Sequence, residues 1–128
     1  MNYLDLEKYF LENKLEELLE LYKEDFESID EFSKQFVNNL LISGVECQEA
    51  LDTLTGLYMK LNIIYSIADF YYLKKKELSK INKDLATAAM TFLRIRTIFK
   101  TYLTNCRKSI STCQSQLKYH LEEMKLTK

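Results

Sequence analysis

Proline is absent from this 128-residue chain and glycine occurs only twice, so the residues that punctuate tight turns and sheet connections are nearly missing. That excludes a loop-rich or many-stranded design. There is one histidine, His120, and no Cys-x-x-Cys, and the three cysteines (Cys47, Cys106, Cys113) are an odd count. On one helix, Cys106 and Cys113 would hold their α-carbons roughly 10 Å apart, too far for a disulfide, so reduced buried thiols are expected. No uncharged run is long enough for a membrane span. The most apolar stretch, Leu57 to Leu73, carries Lys60, Asn62 and Asp69 and reads as a core helix. Met1 to Lys14 mixes acids into every turn, so no secretory signal is expected and a cytoplasmic setting follows, the host-cell cytoplasm if the source is viral.

What is present is Leu, Lys, Glu and Ile in abundance, a composition of long helices. A chain of this length fits one domain and removes well over half of its unfolded surface from water. The formal net charge of −1 hides an asymmetry. Met1 to Glu31 holds eleven acids and three lysines, whereas Lys74 to Lys118 holds eleven basic residues and two acids. Such a separation bears on encounter with charged partners rather than on fold.

Helical periodicity organises the chain. A first amphipathic helix is predicted over about Tyr3 to Asp25, with Leu4, Leu11, Leu15, Leu18, Leu19 and Tyr22 at helical spacing and acids between them. Ser28 and Glu31 have capping-box spacing, predicting a second helix with Phe32, Phe36, Leu40 and Leu41 on its apolar stripe and Gly44 as its stop. From Glu46 to about Ser79 a heptad seam runs through Cys47, Leu51, Leu54, Tyr58, Leu61, Tyr65, Ala68 and Tyr72, widened by Leu57, Ile64, Tyr71 and Leu78.

After a polar interval from Ser79 to Asp84, with Asn82 suited to a left-handed turn and Asp84 to an N-cap, two further heptad rows begin. One comprises Leu85, Phe92, Phe99, Cys106, Cys113 and His120, the other Ala89, Arg96, Leu103, Ile110, Leu117 and Met124. The expected architecture is all-α: an acidic helix pair over residues 1–44 and a long antiparallel helical hairpin over residues 46–128, in one domain. The competing reading is a single helix of roughly 120 Å. Arg96 and His120 are polar residues in apolar rows. Each sets register, or else Arg96 snorkels to solvent and His120 lies near a fraying end.

Enzymatic constellations are not found. No base-orienting residue precedes His120 at helical spacing, Cys113 and His120 lie two turns apart rather than one, no Glu-x-x-His pair occurs, and no glycine-rich phosphate loop exists. The acidic clusters Glu16-Glu17-Glu20 and Glu24-Asp25-Glu27 fall on a solvated face. A non-enzymatic protein with no cofactor, metal or small-molecule substrate is expected.

The basic segment is the positive signal. Lys74, Lys75, Lys76, Lys80 and Lys83 surround the expected bend, and Arg94, Lys100, Arg107, Lys108 and Lys118 continue along the returning helix. Tyr71, Tyr72, Phe92, Phe99 and Tyr102 interleave with them. Cations that neutralise phosphates beside rings that stack on bases suit sequence-tolerant single-strand binding. Against this, Phe92 and Phe99 belong to a core row, and the lysines can be a solvated surface or pair with the acidic first helix.

The segment from Thr101 to Met124, TYLTNCRKSISTCQSQLKYHLEEM, resembles the last helix of the phage UvsY-type recombination mediators. The resemblance extends over about 40 of the 128 residues, this segment included. It implies a homo-oligomer that binds single-stranded DNA and contacts a recombinase and a single-strand-binding protein. The family's basic motif has only a rough counterpart in Lys74-Lys75-Lys76, so no residue role is carried over. The leading expectation is therefore an oligomeric DNA-binding accessory of recombination or replication. The alternative is a protein-interaction module presenting Glu16, Glu17, Glu20 and Glu24 to a basic partner.

Overall fold

Asn2 starts the first helix: its side chain accepts from the Asp5 N–H at 2.9 Å, and Asp5 reaches back to the Asn2 N–H at 3.5 Å, closing a capping box. In the computed structural model, which describes residues 2–38 and 43–126, five α-helices follow among those residues. They are α1 (Tyr3–Leu11), α2 (Leu15–Leu21), α3 (Lys23–Asn38), α4 (Gly44–Ser79) and α5 (Ala86–Leu126), with a 3-10 turn at Lys83–Leu85. No strand occurs among the described residues, and none of their helices is long and apolar enough to cross a membrane. The chain is all-α, as expected.

The single helix expected over Tyr3 to Asp25 is broken twice. At Asn13 the backbone turns left-handed, φ 55°, a conformation asparagine tolerates better than most residues. The Lys14 N–H then donates to the Tyr9 carbonyl at 2.7 Å and the Asn13 N–H to the Phe10 carbonyl at 3.3 Å. These two bonds are a Schellman closure of α1. At Tyr22 the helix yields again, φ −100° and ψ 4°. Tyr22 is buried there, with its ring edge-on to Phe99 at 5.3 Å. Of the row predicted for this arm, Leu15, Leu18 and Tyr22 are buried, whereas Leu4 and Leu11 are exposed and Leu6 and Phe10 face the core instead, because the break at Asn13 resets the phase of the helix.

The start and stop expected for the second helix are also corrected. Ser28 is an exposed residue inside α3, not a cap. Continuing the helix through it puts Phe26, Ile29 and Phe36 in the core. Each such burial is worth roughly 1.5–3 kcal/mol, more than the roughly 1 kcal/mol of one cap. Gly44 does not end a helix but is the first residue of α4, whose N-cap is Ser43 accepting from the Glu46 N–H at 3.1 Å. Leu40 and Leu41 lie outside the described residues.

Between α4 and α5 the chain folds back, excluding the single long helix. Asn82 caps the return: its side chain accepts from the Asp84 N–H at 3.0 Å, the role expected of Asp84. The pairs Asp69 with Arg96, Leu54 with Cys106 and Cys47 with Gln116 step in opposite directions along the two helices, which defines an antiparallel hairpin. Leu54, Leu61, Ile64 and Ala68 of α4 meet Phe92, Ile95, Phe99 and Cys106 of α5 in the core. The first three helices lie over the hairpin, with Phe10 stacked on Tyr71 at 5.2 Å and Phe26 on Tyr102 at 4.1 Å. The heptad rows of α4 and α5 are thus largely covered within the chain.

Candidate nucleic-acid interface

The C-terminal turn of α4 and the 3-10 turn after it gather Lys74, Lys75, Lys76, Lys80 and Lys83 at one end of the hairpin. All are exposed except the half-buried Lys75. Lys80 pairs with Glu77 at 3.1 Å, and the Lys76 ammonium stands 5.9 Å from the centre of the Tyr72 ring. Among the described residues, Lys74, Lys75, Lys76 and Lys83 form no ion pair. Phe70, Leu73, Leu78 and Ile81 are exposed around them.

The cations of α5 do not extend this cluster into one track. Arg94 pairs with Glu16 of α2. The Arg107 guanidinium donates to the Tyr58 hydroxyl at 2.8 Å and lies over that ring. Lys100 is exposed one heptad before Arg107, on the same side of the helix. Lys108 borders a groove between α3 and α5, with Asp30, Ser33, Asn105, Ser109 and Thr112. Lys118 is exposed near the end of α5.

The rings expected to stack on bases are mostly spent on the core. Tyr71, Phe92 and Phe99 are buried, and Tyr102 stacks on Phe26. Tyr71 also donates to Glu7 at 3.1 Å, and burial, then this carboxylate, raises its hydroxyl above the ordinary tyrosine value. Tyr72 stays half-buried, and Phe70 is the large exposed ring at this end. The charge half of the expected interface is present, whereas its stacking half is reduced to these two side chains.

The acidic arm neutralises part of the basic surface, but not at the bend. Besides Glu16 with Arg94, Asp25 pairs with Lys60 at 2.8 Å. Glu17, Glu20 and Glu24 are exposed, and Glu16 and Glu20 border a groove with Leu19, Lys23, Phe26, Ile98 and Tyr102.

Three features lay beyond the sequence reading. Arg96 neither snorkels freely nor stands alone: its Nε donates to Asp69 at 2.5 Å, and its guanidinium lies between the rings of Tyr65 and Tyr72. The signal was available, because a bend at Asn82 brings residues 69 and 96 to matching heights. Ser109 is buried beside Ser33, hydroxyls 3.4 Å apart. His120 packs beside the start of α4, where a Cβ on Gly44 would stand 3.7 Å from its own; its Nδ1 is 3.8 Å from Glu123, and its buried Nε2 meets no partner among the described residues. Among the described residues, no three His, Cys, Asp or Glu side chains come together to hold a metal ion, and the three thiols are buried and reduced.

Compared with protein-family models, curated proteins and solved structures, the chain matches none.

Proposed function

We propose that this chain is a non-enzymatic accessory protein of DNA recombination or replication that self-associates and holds single-stranded DNA by its phosphates at the hairpin end. The observation that carries the reading is the set of five lysines at that end, of which only Lys80 has a carboxylate partner among the described residues. Unpaired ammonium groups on a rigid helical end are what phosphate neutralisation needs, and the half-buried Tyr72 offers limited stacking.

Binding of labelled oligonucleotides across a salt series tests it. With four or five phosphate contacts, the logarithm of affinity should fall against the logarithm of salt with a slope of about −3. Replacing Lys75 and Lys83 together by Glu should weaken binding and flatten that slope. Binding that is absent or indifferent to salt overturns the proposal.

A second reading is favoured by Glu17, Glu20 and Glu24, which are exposed and, unlike Glu16, unpaired among the described residues. On it the acidic arm docks a basic protein. Replacing these three by Lys should then abolish capture of that partner and leave oligonucleotide binding intact.

A further inference from the structure

Helix α4 is apolar on two opposite sides, and the protein's own helices cover only one. On the open side Met59, Ile63, Phe70 and Leu73 are 64%, 53%, 54% and 52% exposed. With Gly56 and Ser66 they alternate spacings of three and four residues, the pattern of a coiled-coil seam, over ~26 Å of helix. A helix that is apolar all round is normally an interior helix. A continuous row of large apolar side chains also differs from the scattered ones of an ordinary surface.

We propose that this face of α4 packs antiparallel against the same face of a second copy of the chain. Charge selects both the occupant and the direction. The N-terminal end of α4 carries Glu46, Glu49 and Asp52, and the C-terminal end carries Lys74, Lys76 and Lys80. Parallel pairing sets like against like at both ends. Antiparallel pairing sets acid against base.

The apolar row fits itself in one antiparallel register. Met59 then faces Phe70, while Ile63 faces Ser66 and Leu73 lies over Gly56 of the second copy, so two of the three pairs set a large side chain over a small one. The surface over Gly56 is open, since a Cβ there would meet nothing within 4 Å. The like-charge pair in this register, Asp52 with Glu77, is offset by Lys80, which is 3.1 Å from Glu77 and faces Glu49 of the second copy.

This proposal rests on the functional reading only for the idea of self-association, and it is tested without DNA. Sedimentation velocity should give twice the 15.2 kDa chain mass. Ile63→Glu and Phe70→Glu should each yield a monomer of unchanged circular dichroism, because both side chains face solvent in the single chain. Mixing a Gly56→Cys variant with a Leu73→Cys variant should give disulfide dimers between unlike variants, with the unsubstituted protein as control for its buried thiols. A monomer at every concentration up to about 100 μM overturns the proposal. So do dimers that survive both glutamate variants, or cross-links mainly between like variants. Oligonucleotide binding lost in Lys75→Glu/Lys83→Glu while that protein remains dimeric separates the lysine cluster from the seam.

Discussion

Asp69 of α4 and Arg96 of α5 meet across the hairpin with carboxylate and guanidinium 2.5 Å apart, and the rings of Tyr65 and Tyr72 flank the guanidinium. The hydrogen bond to Asp69 holds Arg96 above its ordinary pKa, against the opposing effect of burial. A slip of either helix by one residue would separate the two and leave Arg96 in an apolar row without its carboxylate. The pair therefore reports the register of the hairpin.

Asp69→Leu should destabilise the fold by about 1–2 kcal/mol, less than for a fully buried pair because the two side chains keep 33% and 25% of their exposure. Asp69→Leu combined with Arg96→Leu should recover most of that loss, since no charge is left unpaired. Urea unfolding at neutral pH measures both. A single variant as stable as the parent would show that the pair contributes nothing.

Asn13 sits in the left-handed conformation that ends α1. Asn13→Gly should leave stability unchanged or raise it slightly, and Asn13→Val should cost about 1–2 kcal/mol. Were α1 and α2 one continuous helix, the ranking would reverse, with Val the better tolerated. Thermal melts of the two variants decide.

Two serines with the same local spacing should respond oppositely. Ser43 caps α4, so Ser43→Ala should cost about 1 kcal/mol. Ser28 is exposed inside α3, so Ser28→Ala should be neutral or stabilising by a few tenths of a kcal/mol. Denaturant midpoints of the two variants should move apart.

Burial pushes the thiols of Cys106 and Cys113 from 9.0 up to about 11. In the unfolded chain they ionise near pH 9, whereas the folded protein keeps them protonated. Their stabilising contribution is therefore complete below about pH 9 and is lost as pH rises from there toward 11, at about 1.4 kcal/mol per pH unit for each thiol. Urea midpoints between pH 7 and pH 10.5 should be level and then fall. Cys106→Ala should shallow the fall, and an unchanged slope in that variant would refute the assignment.

Much of the fold was legible because long helices leave a long record. Leu54, Leu61, Ala68, Phe92, Phe99 and Cys106 were placed on inward rows by spacing alone, and all are buried. The breaks at Asn13 and Tyr22 were not legible, because the predicted apolar row reads straight through them and a Schellman turn needs only one residue that tolerates the left-handed conformation. Ser28 misled for a related reason: a cap is a local option, and burial of Phe26 and Ile29 outweighed it. The lysine cluster was visible as a run of charge. The open face of α4 was not, since its row differs from the covered row only in which side the other helices occupy.

By itself the sequence determined the helical class, the two long helices, the bend between them and most of their inward residues, all properties of spacing along one chain. Only the tertiary structure decided which charges are neutralised. Glu16 meets Arg94 and Asp69 meets Arg96 because helices distant in sequence come within ion-pair reach, while Lys74, Lys75, Lys76 and Lys83 at the bend meet no carboxylate among the described residues. It likewise decided which of two apolar sides of α4 is covered. Burial depends on what lies opposite a side chain, and that is set by packing rather than by the order of residues along a helix.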